Sequence, residues 1–446
     1  MKFIPEVKTP ERKPGLKRRL EWTAIALLIF AILGVITPVG MTATRQSDFL
    51  KNLQLVTASK IGTLATLGIG PIVMGSIVLQ LLMGAGIIKI DVHDPKQKAY
   101  YQSLQKLMAI FFCFFEAGVY VISGFVPAVG FNKVLVMLQL AFAALMIMYL
   151  DEVVSKYGIG SGVGLFIAAG VSFTIIWRAL SWVPTSGTYV GLVPQLLQGL
   201  INGQIPETAL FPLIFTILVF LFVVYAESMK IEIPLTFGRI KGFGARWPLK
   251  FLYVSNIPVI FTAALFANVQ LWGVALQKIG LPLLGNFVEN QPVSGIAYYL
   301  KAPYGALSTP TQMINTLTSP GMVLHILIYT LAMIIFCILF GKFWVELSGM
   351  DSKSVAKQLQ QVGLHVPGFR RDPRIIERVL ERYIPAITVL GSATVGIIAV
   401  IADLTGALGT GTGILLTVGI LYRMYEELAA QQAAELMPML KGLIGG

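Results

Sequence analysis

Residues 57–87 read TASKIGTLATLGIGPIVMGSIVLQLLMGAGI, and this stretch decides the fold. Its second part, from 70 to 87, is apolar and about as long as a helix that crosses a bilayer. Its first part, from 57 to 67, is too short and too rich in Gly, Thr and Ser to cross, yet too apolar for an ordinary loop. Gly62, Gly68, Gly70 and Pro71 separate the two parts.

The first part therefore predicts a short re-entrant helix. Irregular backbone at membrane depth persists only where it is buried in protein or lines a cavity, so a cavity is expected beside it. An amphipathic cap on the outer surface is the alternative interpretation of the same residues.

The whole chain has the composition of a membrane protein. Its 446 residues are 56% hydrophobic and only 13% charged, whereas about a quarter of the residues in soluble domains are charged. Apolar stretches of spanning length predict an all-α protein with ten transmembrane helices. They lie at about 22–40, 70–87, 104–126, 133–152, 161–181, 208–228, 251–274, 322–346, 384–404 and 411–428.

Basic residues predict the orientation. With ten spans both termini lie on one side, and 26 of the 34 Lys and Arg residues fall in the termini and in the loops on that side. Such an excess marks the cytoplasmic side, so we expect both termini there. The basic amino terminus runs directly into a full-length span near Trp22, so we expect this span to be retained.

Two cytoplasmic loops, 229–250 and 347–383, carry many of these basic residues. The asymmetry follows from the general bias of membrane proteins alone. A docking surface for ribosomal RNA or another anionic partner is the alternative, and the sequence leaves both open.

The span count divides the chain into two halves of five, residues 22–181 and 207–428, joined by an external linker at 182–206. Segments 1–21 and 429–446 form the cytoplasmic ends. Halves with an odd number of spans insert in opposite orientations, an arrangement that builds a path at the interface between them. The linker would act as a hinge, although an ordinary exposed loop explains its residues equally.

Catalytic chemistry is not indicated. The three histidines are scattered, and Cys113 and Cys337 lie in separate apolar stretches, so we expect no enzyme activity, cofactor, disulfide or metal site. Glycine runs at 158–164 and 406–413 lack the lysine of a phosphate-binding loop and indicate close helix packing. Glu116 lies within a span, where a carboxyl group is either functional or a hydrogen-bonded structural element.

Six segments along the chain carry a resemblance to a known family. They are TASKIGTLATLGIGPIV (57–73), YGIGSGVGLFIAAGV (157–171), EIPLTFGRIKG (232–242), FLYVSNIPVI (251–260), PGFR (367–370) and GALGTGTGILLTV (406–418). Their order and spacing resemble the SecY family of protein translocation channels, in its archaeal branch. The resemblance covers essentially the whole chain.

The resemblance implies an hourglass channel between the two halves, with an aliphatic ring at its centre and a plug on the outer side. The ring positions match Ile69, Val73, Val163, Ile167, Ile260 and Leu416. The plug matches the predicted re-entrant helix, with residues Ser59, Lys60, Ile61, Gly62, Thr63, Leu64, Ala65, Thr66 and Leu67.

A lateral gate is also implied, where the second and third spans part from the seventh and eighth. Glu116 and Asn256 match polar positions at this gate, and Arg239, Lys241 and Arg370 match the ribosome-docking tips of the two basic loops. The resemblance further implies a heterotrimer with a SecE-type and a small beta-type subunit in the plasma membrane. Its other partners would be the ribosome with its RNA, nascent polypeptides with their signal sequences, and lipid.

The expected function is therefore a passive channel that moves unfolded secretory polypeptides outward and releases transmembrane segments sideways into lipid. A secondary transporter for small solutes is the alternative, since transporters also use inverted repeats and broken helices. It would require a polar site at the midplane, and the sequence offers none.

Overall fold

The computed structural model describes residues 5–10, 14–42, 59–88, 90, 94–185, 188–237, 244–288, 290–361, 364–365, 373–409 and 411–444. The predicted docking residues Arg239, Lys241 and Arg370 lie outside the described residues. Most of the described residues are helical, as the sequence predicts.

The first half contains five long helices. They are α1 (Leu16–Leu33), α2 (Gly70–Gly84), α3 (Pro95–Ile122), α4 (Asn132–Tyr157) and α5 (Gly162–Leu180). The predicted linker forms a small hairpin of β1 (Pro184–Thr185) and β2 (Thr188–Tyr189), followed by α6 (Leu192–Ile201).

The second half again contains five long helices, with shorter elements between them. In chain order its elements are α7 (Glu207–Ser228), β3 (Lys230–Phe237), β4 (Gly244–Lys250), α8 (Ile257–Lys278), β5 (Phe287–Val288), β6 (Gln291–Pro292), α9 (Gly295–Tyr299), α10 (Pro310–Thr318), α11 (Pro320–Ser348), α12 (Ser352–Gln361), β7 (Leu364–His365), α13 (Pro373–Leu404) and α14 (Gly411–Ile444).

Within the described residues, eight helices are long and apolar enough to cross a bilayer: α2, α3, α4, α5, α7, α8, α11 and α13. The prediction of an all-helical membrane protein is thereby confirmed. Helices α1 and α14 occupy the positions of the other two predicted spans, and the total of ten spans stays a prediction.

Some helix boundaries differ from the prediction. Helices α3 and α13 begin well before the apolar stretches at 104 and 384, because their amino-terminal turns have a polar face and a buried face. In α13, Ile376 and Leu380 of this early part are buried against the cytoplasmic elements. Helix α1 ends at Leu33 rather than near 40, because Gly34 and Pro38 follow.

The two cytoplasmic loops join in one small sheet. Strands β3 and β4 form an antiparallel hairpin, and β7 from the later loop pairs with β3, so that Thr236 lies opposite His365 and Phe237 opposite Leu364. A hydrophobic cluster of its own, which includes Ile233, Leu249 and Leu359, holds this sheet against α12 and α13. The basic loops therefore form one folded unit.

The main core lies between the halves. One large hydrophobic cluster joins buried residues of α2, α5, α7, α8, α11, α13 and α14. A second cluster joins α3, α4 and α8. Because α8 contributes to both clusters, it links the first half to the second along most of its length.

Candidate functional site

The six predicted ring residues lie in one hydrophobic cluster. Ile69, Val73, Ile167, Ile260 and Leu416 are buried members of it, and the half-buried Val163 packs against it. They come from α2 and α5 of the first half and from α8 and α14 of the second. Each pair from one helix, such as Val163 and Ile167, is spaced four residues apart and therefore shares a helical face.

The segment before α2 packs beside this cluster, but it is less regular than predicted. Its only helical part is a single 3₁₀ turn at Leu64–Thr66, with turns on either side. Gly62 and Gly68 adopt positive φ angles of 91° and 53°, which a residue with a side chain seldom adopts. These two glycines prevent a continuous helix and fold the segment back on itself.

Most of this segment is buried. Ile61, Thr63, Ala65, Thr66 and Leu67 are buried, and Ala65 belongs to the same cluster as the ring residues. Its backbone is tied to the end of α1, because the Leu64 amide donates to the Ile36 carbonyl at 2.8 Å. A surface cap would not be buried in this way, so the alternative of an outer amphipathic cap is disfavoured.

The predicted cavity is present beside the segment. It has a volume of about 1680 Å³ and is lined by α1, by the 59–65 segment, by α5 and by the external part of the second half. Lys60, Arg178 and Lys301 are among its lining residues. Burial raises the pKa of Tyr304 in its wall, so the phenol stays protonated and donates to the Ala407 carbonyl at 2.7 Å.

Helices α3 and α8 meet along a seam between the halves. Phe115 of α3 and Trp272 of α8 pack edge to face with ring centroids 6.1 Å apart. Towards the outer end, the Lys278 ammonium of α8 donates to the carbonyl of Ser123, the C-cap residue of α3. Cations favour such helix ends because the last carbonyls lack partners within the helix.

Helices α2 and α11 meet at the inner end of the same seam. The Phe343 ring of α11 covers Gly84 of α2 so closely that a Cβ added to Gly84 would lie 2.1 Å from the ring Cζ. Beside this contact is a crevice of about 470 Å³, lined by Gln80, Gln97 and Glu346 together with apolar residues. The seam is thus closed by side chains at both ends.

The two predicted gate residues lie at different depths. Glu116 is 2% exposed and follows Phe115, which contacts Trp272. Asn256 lies 16 residues before Trp272, about 24 Å along the helix at 1.5 Å per residue. Its amide donates to the Leu415 carbonyl of α14 at 2.9 Å. The structure therefore does not bring Glu116 and Asn256 together.

Asn268 is a polar seam residue that the sequence reasoning missed. It is buried in the middle of α8, between Ala267 and Leu271, which share a cluster with Cys113 and Ala117 of α3. An asparagine in the middle of a predicted span was the available signal.

No cluster of three or more His, Cys, Asp or Glu side chains that could hold a metal occurs among the described residues. Cys113 and Cys337 are free and buried. What the described geometry offers is a path between two halves, closed by apolar side chains and covered on one side.

This architecture defines a class, a helical membrane channel with its constriction between two halves. The family model named SecY matches residues 63–425. Protein translocase subunit SecY of Methanocaldococcus jannaschii is 48% identical, with 99% of this chain and 97% of the relative covered. The protein of the same name from Pyrococcus furiosus is 44% identical, with 100% and 97% covered.

Solved structures agree with these relatives. "The structure of a protein conducting channel" matches with a TM-score of 0.85 at 48% identity over 98% of this chain and 97% of that one. "Sec61 in the Canine ribosome-channel complex from the endoplasmic reticulum" matches with a TM-score of 0.82 at 48% identity over 98% and 97%. The chain belongs to the SecY family. It is thus a subunit of a protein-conducting membrane channel, and neither an enzyme nor a transporter of small solutes.

Proposed function

We propose that the six ring residues form the constriction through which an unfolded polypeptide passes, and that residues 59–67 plug it from outside. The supporting observation is the shared cluster: residues from four helices of both halves meet there, and Ala65 of the plug belongs to it. The cavity of about 1680 Å³ on the far side of Ala65 is the outer vestibule into which the chain would emerge.

Aliphatic side chains suit this constriction for a physical reason. A passing polypeptide presents every kind of side chain, so a polar ring would bind some of them and conduct ions when idle. A narrow apolar ring excludes water and ions, and it lets a chain slide without strong attachment.

The seam between the halves is the proposed lateral gate. Helices α2 and α3 would part from α8 and α11, and the apolar segment of a signal sequence would replace the contacts that they lose. Hydrogen bonds between membrane helices contribute about 1 kcal/mol each, little enough for such a segment to compete. Glu116 and Asn268, both buried beside the α3–α8 contact, are the proposed polar gate residues.

Asn256 directly precedes gate helix α8, so its predicted role at the gate would have to act through the placement of that helix. Both termini are proposed to be cytoplasmic and the membrane to be the plasma membrane, on the distribution of basic residues. The linker, residues 182–206, is the proposed hinge between the halves.

The cytoplasmic sheet of β3, β4 and β7 is the proposed ribosome dock, with Arg239, Lys241 and Arg370 as predicted contacts. Support comes from the pairing of β3 with β7, because one rigid unit presents both basic loops together. A related structure is described as a ribosome–channel complex. SecE-type and small beta-type subunits are the proposed further members of the complex.

Disulfide cross-linking to a stalled polypeptide tests the ring. In a chain whose Cys113 and Cys337 are replaced by Ala, single cysteines are placed at Val73, Ile260 or the lipid-exposed control Leu390. A translocating polypeptide with one cysteine is expected to cross-link to the Val73→Cys and Ile260→Cys variants and not to Leu390→Cys. Cross-links at Leu390→Cys alone would overturn the proposed path.

A further inference from the structure

A buried polar contact lies about one helical turn from the ring. Asn256 caps the amino terminus of α8 and is 3% exposed. Its amide nitrogen donates to the carbonyl of Leu415 on α14 at 2.9 Å. Ile260 follows Asn256 by four residues on the same face of α8, and Leu416 follows Leu415. This one hydrogen bond therefore joins the two helices beside the two ring residues of the second half.

The backbone before α8 supports this contact. Ser255 is a buried non-glycine residue with φ of 55°, in the left-handed region that such residues seldom occupy. The sharp turn it makes places Asn256 against α14 rather than along the axis of the preceding segment. Unfavourable backbone geometry of this kind persists where the surrounding structure requires it.

Gly419 makes the approach possible. It lies four residues after Leu415 on α14, and a Cβ at this position would be 1.7 Å from the Asn256 amide nitrogen. The same Cβ would be 2.8 Å from Oε1 of Glu227, the buried penultimate residue of α7. The side chains of Asn256 and Glu227 thus fill the space that the missing Cβ leaves, and three helices meet there.

The outward atoms of this cluster are poised rather than saturated. Within the described part of the chain, Asn256 Oδ1 and Glu227 Oε1 have no hydrogen-bond partner, although both are buried. The nearest cations acting on Glu227 are Lys250 and Arg423. Of the side-chain atoms, the Asn256 nitrogen is thus the one whose bond defines the spacing of α8 and α14.

We propose that Asn256, seated over Gly419, is a positioning residue that holds α8 against α14 and so keeps Ile260 and Leu416 in the closed ring. This inference rests on the proposed ring. Without the Asn256 bond, α8 and α14 separate at the level of the ring and the closed channel leaks ions.

The test is the ion conductance of the complete purified complex in planar bilayers. Asn256→Leu removes the bond while keeping the side-chain volume, so the complex is expected to assemble. Gly419→Ala pushes the Asn256 side chain away by direct contact. Each variant is expected to raise the fraction of time spent conducting by roughly fivefold, the change produced by about 1 kcal/mol.

Three further variants make the outcome decisive. Gly118→Ala is the matched control, because its added Cβ meets Met137 only at 3.8 Å, an ordinary contact. Glu227→Gln supplies a donor that can serve Asn256 Oδ1, so it is expected to stay closed. Ile260→Gly removes a ring side chain and is expected to conduct whether or not Asn256 has a positioning role.

The possible results separate the two proposals. If Ile260→Gly conducts while Asn256→Leu and Gly419→Ala are as silent as Gly118→Ala, the positioning role is wrong and the ring stands. If Ile260→Gly is also silent, the ring and the inference that rests on it both fail. If either Asn256→Leu or Gly419→Ala does not assemble, the other variant decides.

Discussion

Phe343 and Gly84 are packed so closely that no side chain larger than hydrogen fits between the ring and the α2 backbone. The ring Cζ would lie 2.1 Å from a Cβ on Gly84. One residue belongs to each half of the molecule, so this contact closes the inner end of the seam. A substitution at Gly84 acts directly on the proposed gate.

Gly84→Ala is therefore expected to favour the open gate. The methyl group forces the Phe343 ring to move, and loss of its packing weakens closure by about 1 kcal/mol, or about fivefold in the open population. Proteoliposomes with the reconstituted complex should then translocate a reporter with a weakly hydrophobic signal sequence more efficiently. Gly321→Ala in the same helix as Phe343 is the control, because its Cβ meets nothing within 4 Å. Equal translocation by both variants would show that the Phe343 contact does not limit opening.

Lys278→Met is expected to loosen the outer end of the same seam. The ammonium group donates to the Ser123 carbonyl at the end of α3, and methionine keeps the length of the side chain without the donor. We expect closure to weaken by about 1 kcal/mol. The reporter assay described for Gly84 measures it, with the exposed Lys133→Met as control. A Lys278→Met channel that behaves like Lys133→Met would show that this bond contributes nothing to closure.

A double-mutant cycle distinguishes the positions of the two predicted gate residues. Glu116 and Asn256 contact different helices and lie about 24 Å apart along α8, so the effects of Glu116→Gln and Asn256→Leu should add within about 0.5 kcal/mol. Phe115→Leu and Trp272→Leu should couple by more than that, because the rings touch. Urea unfolding of the complex or the reporter assay provides the energies. Strong coupling between Glu116 and Asn256 would contradict the observed separation.

Sequence patterns predicted the long helices because a span requires a long apolar stretch, which is visible without knowledge of its neighbours. The same patterns placed the break before α2, since Gly68 and Pro71 act on their own backbone. The ring residues were identified by resemblance, because a buried Ile in a pore and a buried Ile in a core have the same sequence environment.

Contacts between distant segments were not predictable. The pairing of β3 with β7 joins residues more than a hundred positions apart, and no local pattern indicates it. Asn256 was assigned to the gate on its position in a motif, whereas its partner on α14 is 159 residues away. A polar residue's partner depends on packing, which the sequence does not display.

The cytoplasmic unit has its own core, so its stability is separable from that of the channel. Ile376→Ala removes a buried side chain from this core and should destabilise the unit by about 2–5 kcal/mol. Cosedimentation with ribosomes should then weaken, while the resting conductance stays at the level of the unmodified channel. Leu390→Ala on the exposed face of the same helix is the control. Undiminished ribosome binding by an Ile376→Ala complex with a disrupted sheet would remove this unit as the dock.

The central claim is a ring of aliphatic side chains covered by a plug, and single-channel conductance tests it most directly. The complete complex is compared with one that lacks residues 59–67, both purified and inserted into planar bilayers. The account predicts that the intact channel is silent and that the deletion conducts in wide, frequent openings, because the ring alone has lost its cover. A deletion as silent as the intact channel would contradict the plug, and an intact channel that conducts freely at rest would contradict the seal itself.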